Sequence, residues 1–480
     1  MGTLPCPGCS QRDRRIGELE KSNARLQAEN DRLQAKCDRL QAQCDRLQAQ
    51  LEQAQRASKR QAAPFAKGEP KKNPQSTARP SGAAYGKHGH RPSPPDDQID
   101  ETLEATLPDC CPHCGGDIAE DDEVDLQFQE EIPIKPLRRK FRIHKGTCRR
   151  CGRRVRGRHA QQTSDAVGAA ASQVGPDAQA TIAYLNKHSG MSYGKISDLF
   201  ERTYGIHLTR SACAQAVLRA GRRLKPAYEE IKQHIRDAEH LTPDETGWRL
   251  GGQPVWLHAW VADDGATCFA IDPRRSAQVL EETIGSGWSG NMTHDGFSSY
   301  ERFVGAVHQQ CLAHPLRRAH AMAENATGRA KDFPRQVIDV FQGALEVRDQ
   351  FRAGQLDEAE LLRAHEDYTE CLRELSFRPR GNKANERLAK HLYNHTGEWF
   401  MFLVDPRIPA TNYRGEQALK VPIVNRKVWG GNRTPAGAEA QVVNASVIAT
   451  CKNRFQSAIT FISQAVCGFA GSLFTTATKG

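Results

Sequence analysis

Two Cys-x-x-Cys pairs stand close together in the chain, Cys111-Pro-His-Cys114 and Cys148-Arg-Arg-Cys151. Each presents two thiolates on a tight turn, and four thiolates make the closed tetrahedral set of a structural zinc site. The 33 residues between Cys114 and Cys148 exceed the usual zinc-ribbon loop but can hold a short hairpin. Cys110 lacks the spacing to Cys114. A third pair, Cys6-Pro-Gly-Cys9, supplies only two ligands. It would close a tetrahedron only with a second copy, and a frayed, reduced terminus is the simpler account. Carboxylates form the other chemical set. Asp244 opens a strand-like region and Asp295 follows the short segment NMTH. Strand ends meeting at one edge of a mixed sheet can bring two distant carboxylates together. Asp264, in Asp263-Asp264-Gly265, reads as a hairpin turn residue, and Glu245 is close enough to Asp244 to be mistaken for it. His308, Cys311 and His314 form a third constellation. Buried, hydrogen-bonded side chains are its favoured account, ahead of a polar network near the carboxylates or a second zinc.

The elements that must position these groups follow from periodicity. Leu19, Leu26, Leu33, Leu40 and Leu47 recur every seven residues. Ile16, Asn23, Asn30, Cys37 and Cys44 precede them by three, with Leu51 continuing that series. This predicts a leucine-zipper coiled coil over 16–56, its asparagines favouring a parallel dimer. Residues 57–95, with seven prolines, eight Lys/Arg and one acid, predict a disordered basic linker. A zinc-finger module is expected at 96–160. It changes sign abruptly, with fourteen acids over 96–131 and twelve Lys/Arg over 135–158. Arg138, Arg139, Lys140, Arg149, Arg150, Arg153 and Arg154 there make a candidate phosphate-contacting surface. Residues 170–235 predict three or more amphipathic helices with N-caps at Ser192 and Thr209. The helix after Thr209 would be the reader if they form a helix-turn-helix; an ordinary helical connector is the alternative. Strands are expected at 254–261, 267–271 and within AVHQQCL, a helix at 276–284, and a largely helical insertion at about 325–405.

The composition bounds the class. A chain of 480 residues with a net charge of +10 and 26% charged residues is read as multidomain and basic. No apolar run approaches the roughly 18 residues of a membrane span. No secretory signal is visible, so a cytoplasmic, nucleoid-associated protein with mostly reduced cysteines is expected.

LTPDETGWRLGGQPVWLHAWV, THDGFSSYERF, HQQCLAHPLRRAHAMAE and NYRGEQALKVPIVNRKVWGGNRTPAGAEAQ resemble the motif blocks of DDE transposases, and more narrowly of the insertion-sequence-sixty-six family. The order of zipper, zinc module, helical segment and catalytic core is also similar, over about residues 16–455. The resemblance implies a multidomain protein whose 236–460 region is an α/β ribonuclease H-like catalytic domain with a helical insertion. It also implies catalytic, metal-holding carboxylates at Asp244, Asp295 and Glu416. Three hard carboxylates suit two Mg2+ (or Mn2+) ions per active site. Arg426 and Lys427, near Trp429, are further candidate DNA contacts beyond Glu416. The implied partners are double-stranded DNA of element ends and target, a second copy through the zipper, and helper proteins of the same element. The usual C-terminal extension of that family is not recognisable. Two rival readings remain: a DNA-binding regulator with a catalytically silent core, and a standalone metal-dependent nuclease.

Overall fold

A computed structural model of the chain describes residues 7–59, 93–110, 112–117, 126–129, 135–167, 173–377, 382–469 and 471–474. It divides into two compact units, residues 1–122 and 123–480.

In the first unit a single long helix, α1 (Pro7–Lys59), carries the heptad. Its leucines at 19, 26, 33, 40 and 47 stand 53–61% exposed, so the apolar stripe is uncovered within one chain. Most of the expected linker, including residues 60–92, lies outside the described residues, as do Cys6 and Cys111.

The second unit opens with a small antiparallel hairpin, β1 (Lys145–Thr147) and β2 (Arg154–Arg156). Four helices follow: α2 (Pro176–Lys187), α3 (Tyr193–Tyr204), α4 (Arg210–Arg223) and α5 (Lys225–Asp237). Ser192 accepts from the Lys195 N–H at 3.3 Å and Thr209 from the Ala212 N–H at 3.0 Å, so both serve as N-caps. Next come β3 (His240–Leu250), β4 (Gln253–Ala262), β5 (Thr267–Asp272), α6 (Ala277–Ile284), β6 (Asn291–His294) and β7 (Val307–Gln310). A helical stretch carries α7 (Ala313–Asn325), α8 (Asp332–Arg352), α9 (Glu358–Phe377), α10 (Lys383–Asn394) and the short α11 (Met401–Val404). The unit closes with α12 (Tyr413–Trp429), α13 (Pro435–Asn453) and α14 (Ala458–Cys467). No helix among the described residues is long and apolar enough to cross a membrane.

The five strands form one mixed sheet in the order β5-β4-β3-β6-β7. The β3–β4–β5 meander is antiparallel, whereas β6 and β7 join parallel to β3, giving an α/β unit. Helices α2–α5 share one hydrophobic core with this sheet, α13 and α14. The helical segment, read from sequence either as a helix-turn-helix or as a helical connector, packs into the same body as the sheet. Its helix after Thr209, α4, packs on α2, α3 and α13 and buries Cys213, Ala216, Val217, Ala220 and Gly221. Only Arg210, Ser211, Gln215, Arg222 and Arg223 along it are exposed.

α13 closes one edge of the sheet. Ser446 Oγ accepts from the Phe269 N–H at 2.9 Å, and Thr450 Oγ1 from the Thr267 N–H at 3.0 Å. Hydroxyls on a buried helix thereby satisfy edge-strand donors that would otherwise be unpaired. The opposite edge, β7, is met by the helical stretch. Buried Gln309 donates to Trp399 O at 2.8 Å and accepts from the Phe402 N–H at 3.1 Å.

That helical stretch has its own core, centred on Phe341, Leu372, Leu392, Trp399 and Phe402. The Trp399 indole N–H donates to Leu392 O at 3.0 Å, so the ring is both packed and hydrogen-bonded. Trp399→Ala removes both and leaves a cavity, and is expected to destabilise the chain by about 3–5 kcal/mol. Urea denaturation followed by circular dichroism measures this; a loss below about 1 kcal/mol would contradict the assignment of Trp399 as a core residue.

Candidate active site

The two aspartates are set side by side by sheet register. β3 and β6 run parallel with His240 opposite Asn291 and Leu241 opposite Met292, an offset of 291 − 240 = 51. The interval from Asp244 to Asp295 is the same, 295 − 244 = 51. Extending the register therefore brings Asp295, just past the end of β6, level with Asp244. Asp244 lies in the interior of β3, opposite Ala259 of β4. Its Oδ1 accepts from the Glu245 N–H at 2.9 Å, and Asp295 Oδ1 accepts from the Phe297 N–H at 3.1 Å. Gly296, at φ +86°, makes the turn; a Cβ there would meet Gln310 Oε1 at 2.9 Å.

Glu416 arrives from 416 − 295 = 121 residues further on, after the whole helical stretch. The returning segment is tied to the ends of β6 and β7. Thr293 Oγ1 donates to Pro409 O at 3.0 Å, the Leu312 N–H to Ala410 O at 3.0 Å, and the Asn412 N–H to Cys311 Sγ at 3.1 Å. α12 then starts directly on β3. A Cβ on Gly415 would lie 3.0 Å from Asp244 Cβ, 3.3 Å from Pro243 O and 2.8 Å from Asn412 Oδ1. Only a residue without a side chain lets the helix sit this close. The far end of α12 is fixed too: the Asn432 N–H donates to Arg249 O at 2.9 Å, and Asn432 Oδ1 accepts from Trp248 Nε1 at 2.8 Å.

Glu416 occupies the first turn of α12, where the exposed N–H groups and helix dipole favour a carboxylate. Its Oε1 lies 3.3 Å from Arg317 Nη2 and 3.8 Å from His314 Nε2, both on α7. Burial pushes the Asp244 carboxyl up to about 7, and the negative charges of Glu245, Asp295 and Glu416 add to the rise. A carboxyl raised in this way, with other acids beside it, is a group that a bound cation would satisfy. Asn412 belongs with them: it is buried, and among the described residues neither its amide oxygen nor its amide nitrogen has a partner. No three His, Cys, Asp or Glu side chains are already drawn together as a metal cluster among the described residues.

Glu245 has a different part from its neighbour. Adjacent strand residues point to opposite faces, and Glu245 is nearly sealed, its side chain 2% exposed. It accepts from Arg275 Nη2 at 2.6 Å and from Tyr300 OH at 2.6 Å. The Arg275 guanidinium is held between the Trp256 and Phe297 rings, 4.7 and 4.1 Å from their centroids. The sequence offered no signal for this ion pair beyond the acidic residue beside Asp244.

His308, Cys311 and His314 do not converge on one point; each supports a different part of the site. His308 Nδ1 and His294 Nε2 are 3.0 Å apart, Cys311 holds the N-cap of α12, and His314 faces Glu416. Burial, with His308 and His395 nearby, pushes His294 down to about 3, so it is neutral at ordinary pH.

Of the proposed zinc ligands, Cys148 and Cys151 lie on the turn between β1 and β2. The Cys148 N–H donates to Arg153 O and the Gly152 N–H to Cys148 O, both at 2.9 Å. Hydrogen bonds from the backbone of Cys151 and then Arg150 lower the Cys148 thiol below its usual range. A left-handed glycine follows each pair: Gly115 after Cys114 at φ +74° and Gly152 after Cys151 at φ +68°. Such geometry suits thiolates presented on a knuckle. Arg139, Lys140, Arg149, Arg150, Arg153 and Arg154 are exposed. Arg138 is also exposed, but its Nη2 is tied to Gly205 O at 3.1 Å. Arg426 is half-buried, 3.5 Å from Thr246 Oγ1, whereas Lys427 is exposed.

The family model described as the transposase IS66 family matches residues 171–440, more than half of the chain. The chain belongs to the IS66 family of transposases. That span takes in the whole sheet and all three carboxylates. A relative in Sinorhizobium fredii, the uncharacterized protein y4hP, is 26% identical over 416 residues, covering 75% of this chain and 70% of that protein.

Gly415 offers a direct test of the site's construction. Alanine would gain up to about 1 kcal/mol of helix propensity, but its methyl would press on Asp244 and Asn412 at a cost of about 1–3 kcal/mol. Gly415→Ala is expected to lower the melting temperature measured by calorimetry. An unchanged or raised value would contradict the close seating of α12.

Proposed function

We propose that this transposase binds the ends of its mobile DNA element and catalyses metal-dependent strand cleavage and strand transfer. The reading is supported by the β3–β6 register that sets Asp295 level with Asp244, by the seating of the first turn of α12, which carries Glu416, against Asp244 at Gly415, and by the Asp244 carboxyl, raised by burial and by its acidic neighbours. We assign these three as the holders of two Mg2+ or Mn2+ ions in a ribonuclease H-like catalytic domain. Such ions, when bound, supply charge for an in-line displacement at phosphorus and a more reactive attacking oxygen.

The chain's own residues prepare the site. Backbone N–H groups orient Asp244 and Asp295, and the first turn of α12 carries Glu416. Arg317 and His314 steady the Glu416 carboxylate from the α7 side. The unpartnered Asn412 amide has hydrogen-bonding capacity to spare beside the acids. No side chain need be covalently attached, since water serves as attacker for nicking and a 3′-hydroxyl for joining.

The remaining parts are assigned to binding. The uncovered leucine stripe of α1 favours a coiled-coil homodimer, because two such helices bury each other's stripe. Cys111, Cys114, Cys148 and Cys151 are assigned a structural zinc, with the exposed arginines around the second knuckle meeting DNA phosphates. Lys427, exposed in the last turn of α12, is assigned a further phosphate contact. Nucleoid association and dependence on helper proteins of the same element fit this reading.

Two measurements test it. Asp244→Asn should leave binding to labelled element ends within about twofold, an effect under 0.5 kcal/mol, while abolishing nicking and joining in Mg2+. Omitting Mg2+ should do the same to the wild type; joining that persists in either case overturns the assignment. Separately, Cys148→Ser should lose zinc measured by mass spectrometry, and with it DNA affinity, while retaining the sheet's circular dichroism. Unchanged zinc content would remove the four-cysteine site.

A further inference from the structure

A cavity of about 570 Å³ opens on the flank of α12 beside Glu416, walled by the β4–β5 turn, α13 and the end of α2. Tyr413, Arg414 and Lys420 line it from α12, and Lys452 lines it from α13. Lys420 and Lys452 have no hydrogen-bond or ion-pair partner among the described residues, and Arg414 bonds only the carbonyl of Asp263, at 3.4 Å. Of the two acids on the wall, Asp264 is already paired with Arg454 at 3.2 Å. Unpaired positive charge therefore exceeds unpaired negative charge. Burial and the positive charge of Lys452 hold His188, also on the wall, below its ordinary range, which places that charge close to the cavity.

Apolar groups also line it, with Val421 and Ala449 among them, and Tyr413 is 62% exposed. Cations for a phosphate, an apolar wall for a flat ring and an aromatic side chain together suit a single unstacked nucleotide. A cavity of this size lies in the range that encloses one small ligand, and is far too narrow for a duplex. Its position gives the nucleotide a source. Arg414 and Gln417 line the cavity while Glu416, between them in the chain, does not. At about 1.5 Å rise per residue, the cavity and the carboxylate share one helical turn.

We propose that this cavity receives one unpaired nucleotide of the DNA strand being processed, its base against the Val421–Ala449 wall and its phosphate between Lys420 and Lys452. Removing a base from the stack costs free energy, which stacking and charge pairing in the cavity offset. The inference rests on the reading of the chain as a DNA-cleaving transposase. It adds a strand-end subsite to the carboxylates.

Because stacking and charge contacts tolerate any sequence, the test needs no knowledge of the element's ends. Fluorescence anisotropy with the full chain compares a blunt duplex with the same duplex carrying a short single-stranded thymidine tail. The tail should tighten wild-type binding by about tenfold, within what stacking of one or two bases provides. Lys452→Glu removes charge from the cavity and Ala449→Met fills it. Each should cut the gain from the tail to below about threefold while leaving blunt-duplex affinity within about twofold. A wild type that binds both duplexes equally, or variants that both keep the full gain, overturns the subsite and leaves the transposase reading standing. A wild type that binds neither duplex overturns both.

Discussion

The close approach of α12 to β3 is the contact on which the candidate site depends. Two backbones meet there with no side chain between them, Gly415 lying against the Cβ of Asp244. Such contacts tolerate little displacement, because an added methylene in a packed interior has nowhere to go. They also fix orientation: once the first turn of α12 rests on Asp244 and its far end is tied to Arg249 and Trp248, Glu416 has one place to be. Everything between β7 and α12 can then be a large helical stretch with a core of its own, provided its last residues return to the same spot. The bonds from Thr293, Leu312 and Asn412 accomplish that return.

Much of this was legible in the sequence, and for identifiable reasons. β4 and β5 are rich in aromatic and β-branched residues and flank an Asp-Gly turn, so their short-range pattern is strong. NMTH and the strand within AVHQQCL were also visible as short segments. The N-caps at Ser192 and Thr209 were readable because a capping hydroxyl is a local device. The full extent of β3 was harder. Pro243, Asp244 and Gly247 are poor strand formers, yet Pro243 stands paired opposite Trp260 in a central strand. Tertiary neighbours on both sides hold that segment extended.

The parts that stayed hidden are those made by long-range meetings. No local pattern announces that Glu245 is sealed by Arg275 and Tyr300, or that Cys311 receives the N–H of Asn412 across a hundred residues. The triplet of His308, Cys311 and His314 shows the limit well. Spacing alone does not show that the chain turns between β7 and α7, so that three nearby residues face three different partners. The helices before the sheet teach a related lesson. Amphipathic periodicity identified them, but it could not say that α4 would be enclosed by α2 and α13.

Side chains tie both margins of the sheet to neighbouring segments: Ser446 and Thr450 of α13 reach β5, and Gln309 of β7 reaches out to the Trp399 and Phe402 backbone. A sheet finished in this way offers few free donors for a stray strand to add to. The five-stranded sheet is thereby shielded from edge-to-edge pairing, a hazard for any protein that gathers many copies on one nucleic acid.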